Sequence, residues 1–232
     1  TVECWFNYGG TSGSDNNLDV DMVTLWNNTA NRRAWGLYYD SSQYIGFIGS
    51  SDGINSNTQV WVSYTGFVDA PNDWFHIAAV RISNTITLYV NGTSIGTTTT
   101  SASYYENTVD PLVIGGQLTG ADGSTDYSSK IMRGFLSNVR IIKGDGIYTG
   151  AFTPPANELT VTPNTVLLAC QSPSNILQEA TGKTLVAYRS SANNSFAKAS
   201  TFVPDKGEDH GTTFADNTKF DTLSYMVPPG GT

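Results

Sequence analysis

Apolar and polar positions alternate with a period of two along much of this chain. In Thr85-Ile86-Thr87-Leu88-Tyr89-Val90, the residues Ile86, Leu88 and Val90 share one face and Thr85, Thr87 and Tyr89 share the other. That is the pattern of a strand with one face buried and one wet. The preceding Trp74-Phe75-His76-Ile77-Ala78-Ala79-Val80-Arg81-Ile82 reads as one continuous strand. Asn91-Gly92 follows, the strongest short signal for a tight hairpin, because both residues tolerate positive φ. Residues 93–97 then begin a return strand, which makes a three-stranded antiparallel meander. Runs at 2–6, 22–26, 34–39, 44–48, 60–64, 112–115, 134–142 and 166–170 also read as strands. Short strands split by Gly, Asn, Asp and Ser clusters predict a sandwich or barrel. No stretch sustains a helical period, so the expected helix content is very low.

The punctuation changes late in the chain. Phe152-Thr153-Pro154-Pro155-Ala156-Asn157 is a Pro-rich break and Thr162-Pro163-Asn164 a second. Proline cannot donate to a central ladder. Beyond Cys170 the sequence turns polar and irregular, with short strand candidates at 184–188 and 200–203. The expected division is a body at residues 1–171 and an irregular C-terminal extension at residues 172–232, serving assembly or anchoring.

Composition narrows the class. Of 232 residues, 14% are charged, against a usual share of about 25%, while 12% are aromatic and 23 are glycine. Few charges with many aromatic residues argue against disorder. The net charge of −8 argues against nucleic acid and against an anionic membrane surface, both of which are bound through Lys and Arg. No apolar run approaches the ~20 residues of a membrane-spanning helix. A chain that opens in mid-strand without Met reads as a fragment of a longer product. Cys4 and Cys170 either bridge an early strand to a late one or pack as two buried thiols; no CxxC pair suggests zinc.

Several motifs carry a family resemblance. Val2-Glu3-Cys4-Trp5-Phe6, Trp74-Phe75-His76-Ile77-Ala78-Ala79-Val80-Arg81, Leu88-Tyr89-Val90-Asn91-Gly92, Ile114-Gly115-Gly116 and Phe135-Leu136-Ser137-Asn138-Val139-Arg140-Ile141 occur in this order. The set resembles laminin-G-like domains of the concanavalin A-like lectin/glucanase fold. The resemblance implies an all-β, antiparallel, jelly-roll β-sandwich. A narrower likeness lies in Val139-Arg140-Ile141-Ile142-Lys143-Gly144, Tyr148-Thr149, Phe152-Thr153-Pro154-Pro155 and Asn164-Thr165-Val166-Leu167-Leu168-Ala169-Cys170-Gln171. These stretches are similar to laminin-G-type modules of tailed bacteriophage structural proteins, marine cyanophages among them. That likeness implies a virion component, either capsid decoration or tail fibre, displayed at the virion surface. Its expected partners are other virion proteins, copies of itself and a host-surface glycan. The rival expectation is a secreted bacterial carbohydrate-binding or adhesion module.

Catalytic chemistry finds little support. The glucanases of this fold carry a Glu-x-Asp-x-x-Glu run, because glycoside hydrolysis needs two carboxyls flanking the scissile bond. The five glutamates here form no such run, and Asp19-Val20-Asp21 is its nearest approach. There is no Gly-x-Ser-x-Gly elbow, and the histidines are His76 and His210. The expectation is a non-catalytic protein, with His76 a hydrogen-bonded structural residue. Trp5, Trp35, Trp61 and Trp74 are expected in the core and Trp26 in the core or at the rim. Laminin-G-like domains also hold calcium at the sandwich rim, which implies Asp15, Asp19, Asp21, Asp122 and Asp126 as ligand candidates. The alternative is that these are turn-forming, solvated acids.

Overall fold

The computed structural model describes residues 1–8, 20–40, 42–69, 73–118, 135–172, 175 and 177–185. In chain order the elements are β1 (Val2–Asn7), β2 (Val20–Asn27), β3 (Arg32–Tyr39), β4 (Tyr44–Gly49), β5 (Thr58–Ser63), α1 (Gly66–Asp69), β6 (Trp74–Ile82), β7 (Thr85–Val90), β8 (Thr93–Thr99), β9 (Val113–Ile114), β10 (Phe135–Ile142) and β11 (Thr165–Ala169). Two antiparallel sheets face each other, one of order β11-β10-β1-β6-β7-β8 and one of order β5-β4-β3-β2-β9. The chain is therefore an all-β sandwich. The Asn91-Gly92 hairpin forms as expected, with φ of 48° and 76° at its two central residues.

Alternation builds the core. Val2, Cys4 and Phe6 of β1, with Ile77 and Ala79 of β6 and Ile86, Leu88 and Val90 of β7, meet Met22, Leu37, Tyr39, Ile45, Phe47 and Val60 from the other sheet. The single turn α1 inserts Phe67 at one end, where its ring lies 5.2 Å from Phe6, 5.0 Å from Tyr39 and 4.8 Å from Phe75. Both cysteines are free. Burial pushes the Cys170 thiol up to about 12, and the Cys4 thiol higher still.

Every residue of β1 is buried, on both sides of the strand. Its second face lies under a strap, residues 145–160, that crosses the outside of the six-stranded sheet. Glu3 is the anchor. Its side chain is fully buried, with His76 Nε2 at 3.0 Å from Oε2, the Tyr148 hydroxyl donating to Oε2 at 2.7 Å, and Arg140 Nε and Nη2 reaching Oε1 at 2.7 and 2.6 Å. Burial pushes the carboxyl upward. The bond to His76, the charge of Arg140 and the Tyr148 bond outweigh it, and the pKa falls below the usual 4.5. An ionised carboxylate only accepts, so His76 donates through Nε2. Burial and the Glu3 charge together push the Tyr148 hydroxyl up and keep it a donor. Tyr148 stacks on Phe152 at 3.6 Å, and both rings stand edge-on to His76. Phe152 donates its N–H to the Gly92 carbonyl, and Arg140 Nη1 donates to the Thr160 carbonyl at 3.0 Å. The Pro-rich stretch read as a break is this strap. Its prolines need no ladder partner because it crosses the sheet rather than joining it.

Described residues beyond 171 pack against the body. Glu179 accepts from the Leu168 N–H at 2.9 Å, Ala180 N–H donates to the Leu168 carbonyl at 2.9 Å, and Leu185 packs on the core. Residues 177–185 thus cover the open edge of β11. Thr184 and Leu185 are not in a strand; the rest of that candidate and the one at 200–203 lie outside the described residues.

Two tests follow from this packing. At Gly92 an added Cβ would overlap the Phe152 carbonyl oxygen, whereas at Gly182, also at positive φ, nothing lies within 4 Å. Gly182→Ala is expected to cost about 1 kcal/mol, the left-handed penalty alone, and Gly92→Ala at least twice that, read by urea unfolding. Glu3 has a lower pKa folded than unfolded, so its contribution is complete above about pH 4.5 and is lost as pH falls through the folded value. Glu3→Gln leaves Arg140 buried beside a neutral amide, a loss of about 3–5 kcal/mol near neutrality. It should also flatten the decline in unfolding free energy below pH 4.5. An unchanged acid limb would show that Glu3 does not carry it.

Candidate functional site

The two sheets differ in what covers their outer faces. The strap closes the six-stranded sheet over β1 and β6, and His76 lies beneath it, fully buried and bonded to Glu3. The geometry fits the structural role expected for this histidine. The outer face of the five-stranded sheet carries instead a cleft of about 370 Å³, lined by Asp21, Thr24, Trp26, Asn28, Gly36, Tyr38, Asp40, Ile48, Ser56 and Gln117.

Strand register explains this lining. Cross-strand neighbours share a face, so Gln59, Ile48, Gly36 and Thr24 form one row across β5, β4, β3 and β2, and Trp61, Gly46, Tyr38 and Asp21 form the next. Glycine occupies one position in each row. At Gly36 a Cβ would stand 3.1 Å from the Thr24 methyl and 3.6 Å from an Ile48 methyl, so its absence makes a floor between two side-chain walls. At Gly46 a Cβ would meet the Tyr38 ring at 2.7 Å; that ring lies over the bare glycine backbone. Gln59 Nε2 donates to the Tyr38 hydroxyl at 3.3 Å and steadies it.

The ends of the cleft are also held. Asp40 Oδ1 accepts the N–H groups of Ser42 and Tyr44, at 2.9 and 3.0 Å, and so fixes the β3–β4 turn. Thr24 Oγ1 donates to the Gly116 carbonyl at 2.8 Å, and Asn27 bridges Leu118, which ties the segment after β9 to β2 and brings Gln117 into the wall. Near the Asn28 end, Arg32 and Asp110 form a pair at 2.7 Å, with Asn107 donating to the same carboxylate at 3.0 Å.

Beside the cleft, Trp61 is 49% exposed and its ring lies 4.3 Å from that of Tyr44. This corrects the expectation that Trp61 is core. In β5 the core side is taken by Thr58, Val60 and Val62, and β5 is an edge strand, so Trp61 faces outward with no further strand beside it. Trp26 is 6% exposed and forms part of the cleft wall. Trp35 packs on the core, stacked on Phe47, whereas Trp5 is buried against His76 on the strap side of its sheet. Trp74 is half-buried.

Of the calcium candidates, Asp21 lies in β2 opposite Tyr38 and lines the cleft. Asp15, Asp19, Asp122 and Asp126 lie outside the described residues. Among the described residues, no group of three or more His, Cys, Asp or Glu is placed to hold a metal ion. The cleft as a whole escaped the sequence reading, because its residues are scattered over β2, β3, β4 and the connections beside them, and long-range strand register brings the strand positions together. Glycine alternating with aromatic residues in β3 and β4 (Trp35-Gly36-Leu37-Tyr38, Tyr44-Ile45-Gly46-Phe47) was the available signal.

No curated protein matches the chain. Among solved structures, it is similar to a protein of Bacteroides ovatus proposed as carbohydrate-binding, at 15% identity and a TM-score of 0.47, covering 72% of this chain and 43% of that one. It is also similar to the carbohydrate-binding module, of type CBM40, of a Ruminococcus gnavus sialidase, at 15% identity and a TM-score of 0.43, covering 57% and 69%. A leech intramolecular trans-sialidase aligns at 17% identity and a TM-score of 0.42, covering 66% of this chain and 22% of the enzyme. The chain thus spans less than half of the Bacteroides protein. The model of the concanavalin A-like lectin/glucanases superfamily, in its laminin-G form, matches residues 1–144, more than half of the 232. The chain belongs to that superfamily.

Proposed function

We propose that this chain is a non-catalytic carbohydrate-binding module whose ligand lies in the cleft on the outer face of the five-stranded sheet. The observation that carries this is the pairing of a glycine floor with aromatic rings and uncharged polar groups. Trp61 and Tyr44 form a partly exposed platform, and Tyr38 and Trp26 bring further rings. Thr24, Asn28, Ser56 and Gln117 supply donors and acceptors between them. A sugar presents an apolar C–H face to such rings and hydroxyls to such polar groups, and rings with one apolar and one wet side suit that task. From Asp21 to Trp61 the row crosses three strand spacings, about 14 Å, which suits an oligosaccharide better than a single ring. The missing Glu-x-Asp-x-x-Glu run supports binding rather than hydrolysis.

In its finer form the module is an outer component of a phage particle, a capsid decoration or tail-fibre protein at the virion surface. Other virion proteins and copies of itself would be its partners. The motifs between Val139 and Gln171 support this form, and repetition on a particle would turn weak single contacts into avidity. A secreted bacterial adhesion module, located outside the cell, is the competing form. Mass spectrometry of purified virions distinguishes them, since the phage form requires a defined copy number per particle and fails if the chain is absent.

The binding itself is tested on a glycan array, followed by calorimetry on the best oligosaccharide. Trp61→Ala and Tyr38→Ala should each weaken binding about 5–10-fold, the worth of one aromatic contact, with the melting temperature of Trp61→Ala lowered by only about 2–4 °C through the lost Tyr44 contact. Full affinity in both variants would remove the ligand from this cleft.

A further inference from the structure

We infer that this chain pairs with a second copy of itself through the open edge of β5, antiparallel about a two-fold axis at Trp61. This pairing needs no sugar and goes beyond the function proposed above. An edge strand exposes unpaired N–H and C=O groups, and proteins usually blunt such edges. Among the described residues the two sheets end at β11, β8, β5 and β9, and three of these edges are blunted. Residues 177–185 cover β11, with Glu179 bridging Ala169. β9 is two residues long and is followed by the bridge from Leu118 to Asn27. β8 carries a bulge at Ile95, since Leu88 faces Gly96 and Tyr89 faces Ser94. β5 has none of these devices. Its residues Thr58–Ser63 contain no charge and no proline and pair with β4 without a register shift. Trp61 stands on this strand 49% exposed.

Backbone hydrogen bonds fix how the second copy sits. In an antiparallel ladder, successive residues point their N–H and C=O groups alternately to one side of the strand and the other. Asp40 N–H donates to the Tyr44 carbonyl and Ser50 N–H to the Ala34 carbonyl, so the even residues of β4 face β3. The odd residues face β5, and Tyr64 N–H donates to the Gln43 carbonyl in the same register. Thr58, Val60 and Val62 therefore bond β4, while Gln59, Trp61 and Ser63 turn their backbone groups to the open side. A continued sheet also needs paired side chains on one face. Only a pairing centred on one of these open residues meets both conditions, and Trp61 is the middle one. Trp61 then pairs with Trp61 and Gln59 with Ser63 across the axis, and no like charges stand opposite each other. Trp61 already lies against Tyr44, so four rings gather at the axis. The two clefts come to lie on one face of a single continuous sheet. A strand of six residues is about 20 Å long. Contact along it is less than the roughly 800 Å² per partner of a standard stable complex, and the net charge of −8 opposes approach. The dimer is therefore reversible, and salt strengthens it.

Analytical ultracentrifugation of the full chain, with no sugar present, tests the pairing over about 1–300 μM. The expected result is a monomer–dimer equilibrium whose dimer share rises with concentration and with salt. Trp61→Lys sets two cations opposite each other at the axis and should weaken dimerisation at least about tenfold, with circular dichroism verifying the fold. The register is read by disulfide trapping in oxidised glutathione, the unaltered chain giving the background from Cys4 and Cys170. Trp61→Cys should link to itself, because paired Cα atoms about 5.5 Å apart admit a disulfide. Gln59→Cys alone should not link, whereas a mixture of Gln59→Cys with Ser63→Cys should. A chain that stays monomeric over the whole range overturns the pairing. So does a dimer that Trp61→Lys leaves intact, or one in which Gln59→Cys links to itself and Trp61→Cys does not. Each of these outcomes leaves the carbohydrate function standing, and a chain that binds no glycan leaves the pairing standing.

Discussion

A single buried carboxylate organises this molecule. Glu3 sits in the central part of the six-stranded sheet and is met by donors from β6, from β10 and from the strap. A buried ion cluster of this kind adds little net stability over a well-packed apolar substitute. Its effect is directional. Two oxygens collect His76, Arg140 and Tyr148 from positions 73, 137 and 145 residues away, so the order of three strands and the path of the strap are set by one group. Desolvation would neutralise an isolated carboxyl there, and three converging donors keep it ionised.

That anchoring closes the outer face of the six-stranded sheet over β1 and β6. Once Tyr148 and Phe152 lie over His76 and Tyr89, the strap side of the six-stranded sheet is a second small core rather than a surface. The five-stranded sheet has no equivalent cover among the described residues. On that face Asp21, Thr24 and Trp26 of β2 are 3%, 2% and 6% exposed, while Trp61 of the edge strand β5 is 49% exposed. A flat sheet of ordinary side chains would offer no concavity. Removing one of them, at Gly36, lowers the floor of the cleft to the backbone, and the bare backbone at Gly46 seats the Tyr38 ring.

Much of the fold was legible in the sequence for a local reason. Strand pairing in β6, β7 and β8 follows from period-two alternation and the Asn91-Gly92 turn, which are properties of neighbouring residues. The buried charge cluster was half legible. Glu3, His76 and Arg140 stood out as members of ordered motifs, but their meeting depends on β1 lying between β6 and β10, which is a long-range fact. Trp61 was misplaced because alternation identifies two faces without saying which one is covered. The strap is the same problem reversed. A Pro-rich segment announces that it leaves a sheet, and nothing local says that it returns across it.

The low charge content of the chain acquires a meaning from where the cations are placed. Each arginine among the described residues makes at least one bond within the protein. Arg32 pairs with Asp110 and Arg140 with Glu3. Arg33 bonds the Asn28 carbonyl, and Arg81 bonds the Ser83 and Thr100 carbonyls while lying over the Tyr104 ring. Guanidinium groups are the usual partners of carboxylate and phosphate ligands because of their planar, bidentate geometry. Here that geometry is directed inward, to hold turns and strands. Among the described residues, the cleft on the five-stranded sheet is lined by carboxylate, amide, hydroxyl and aromatic side chains.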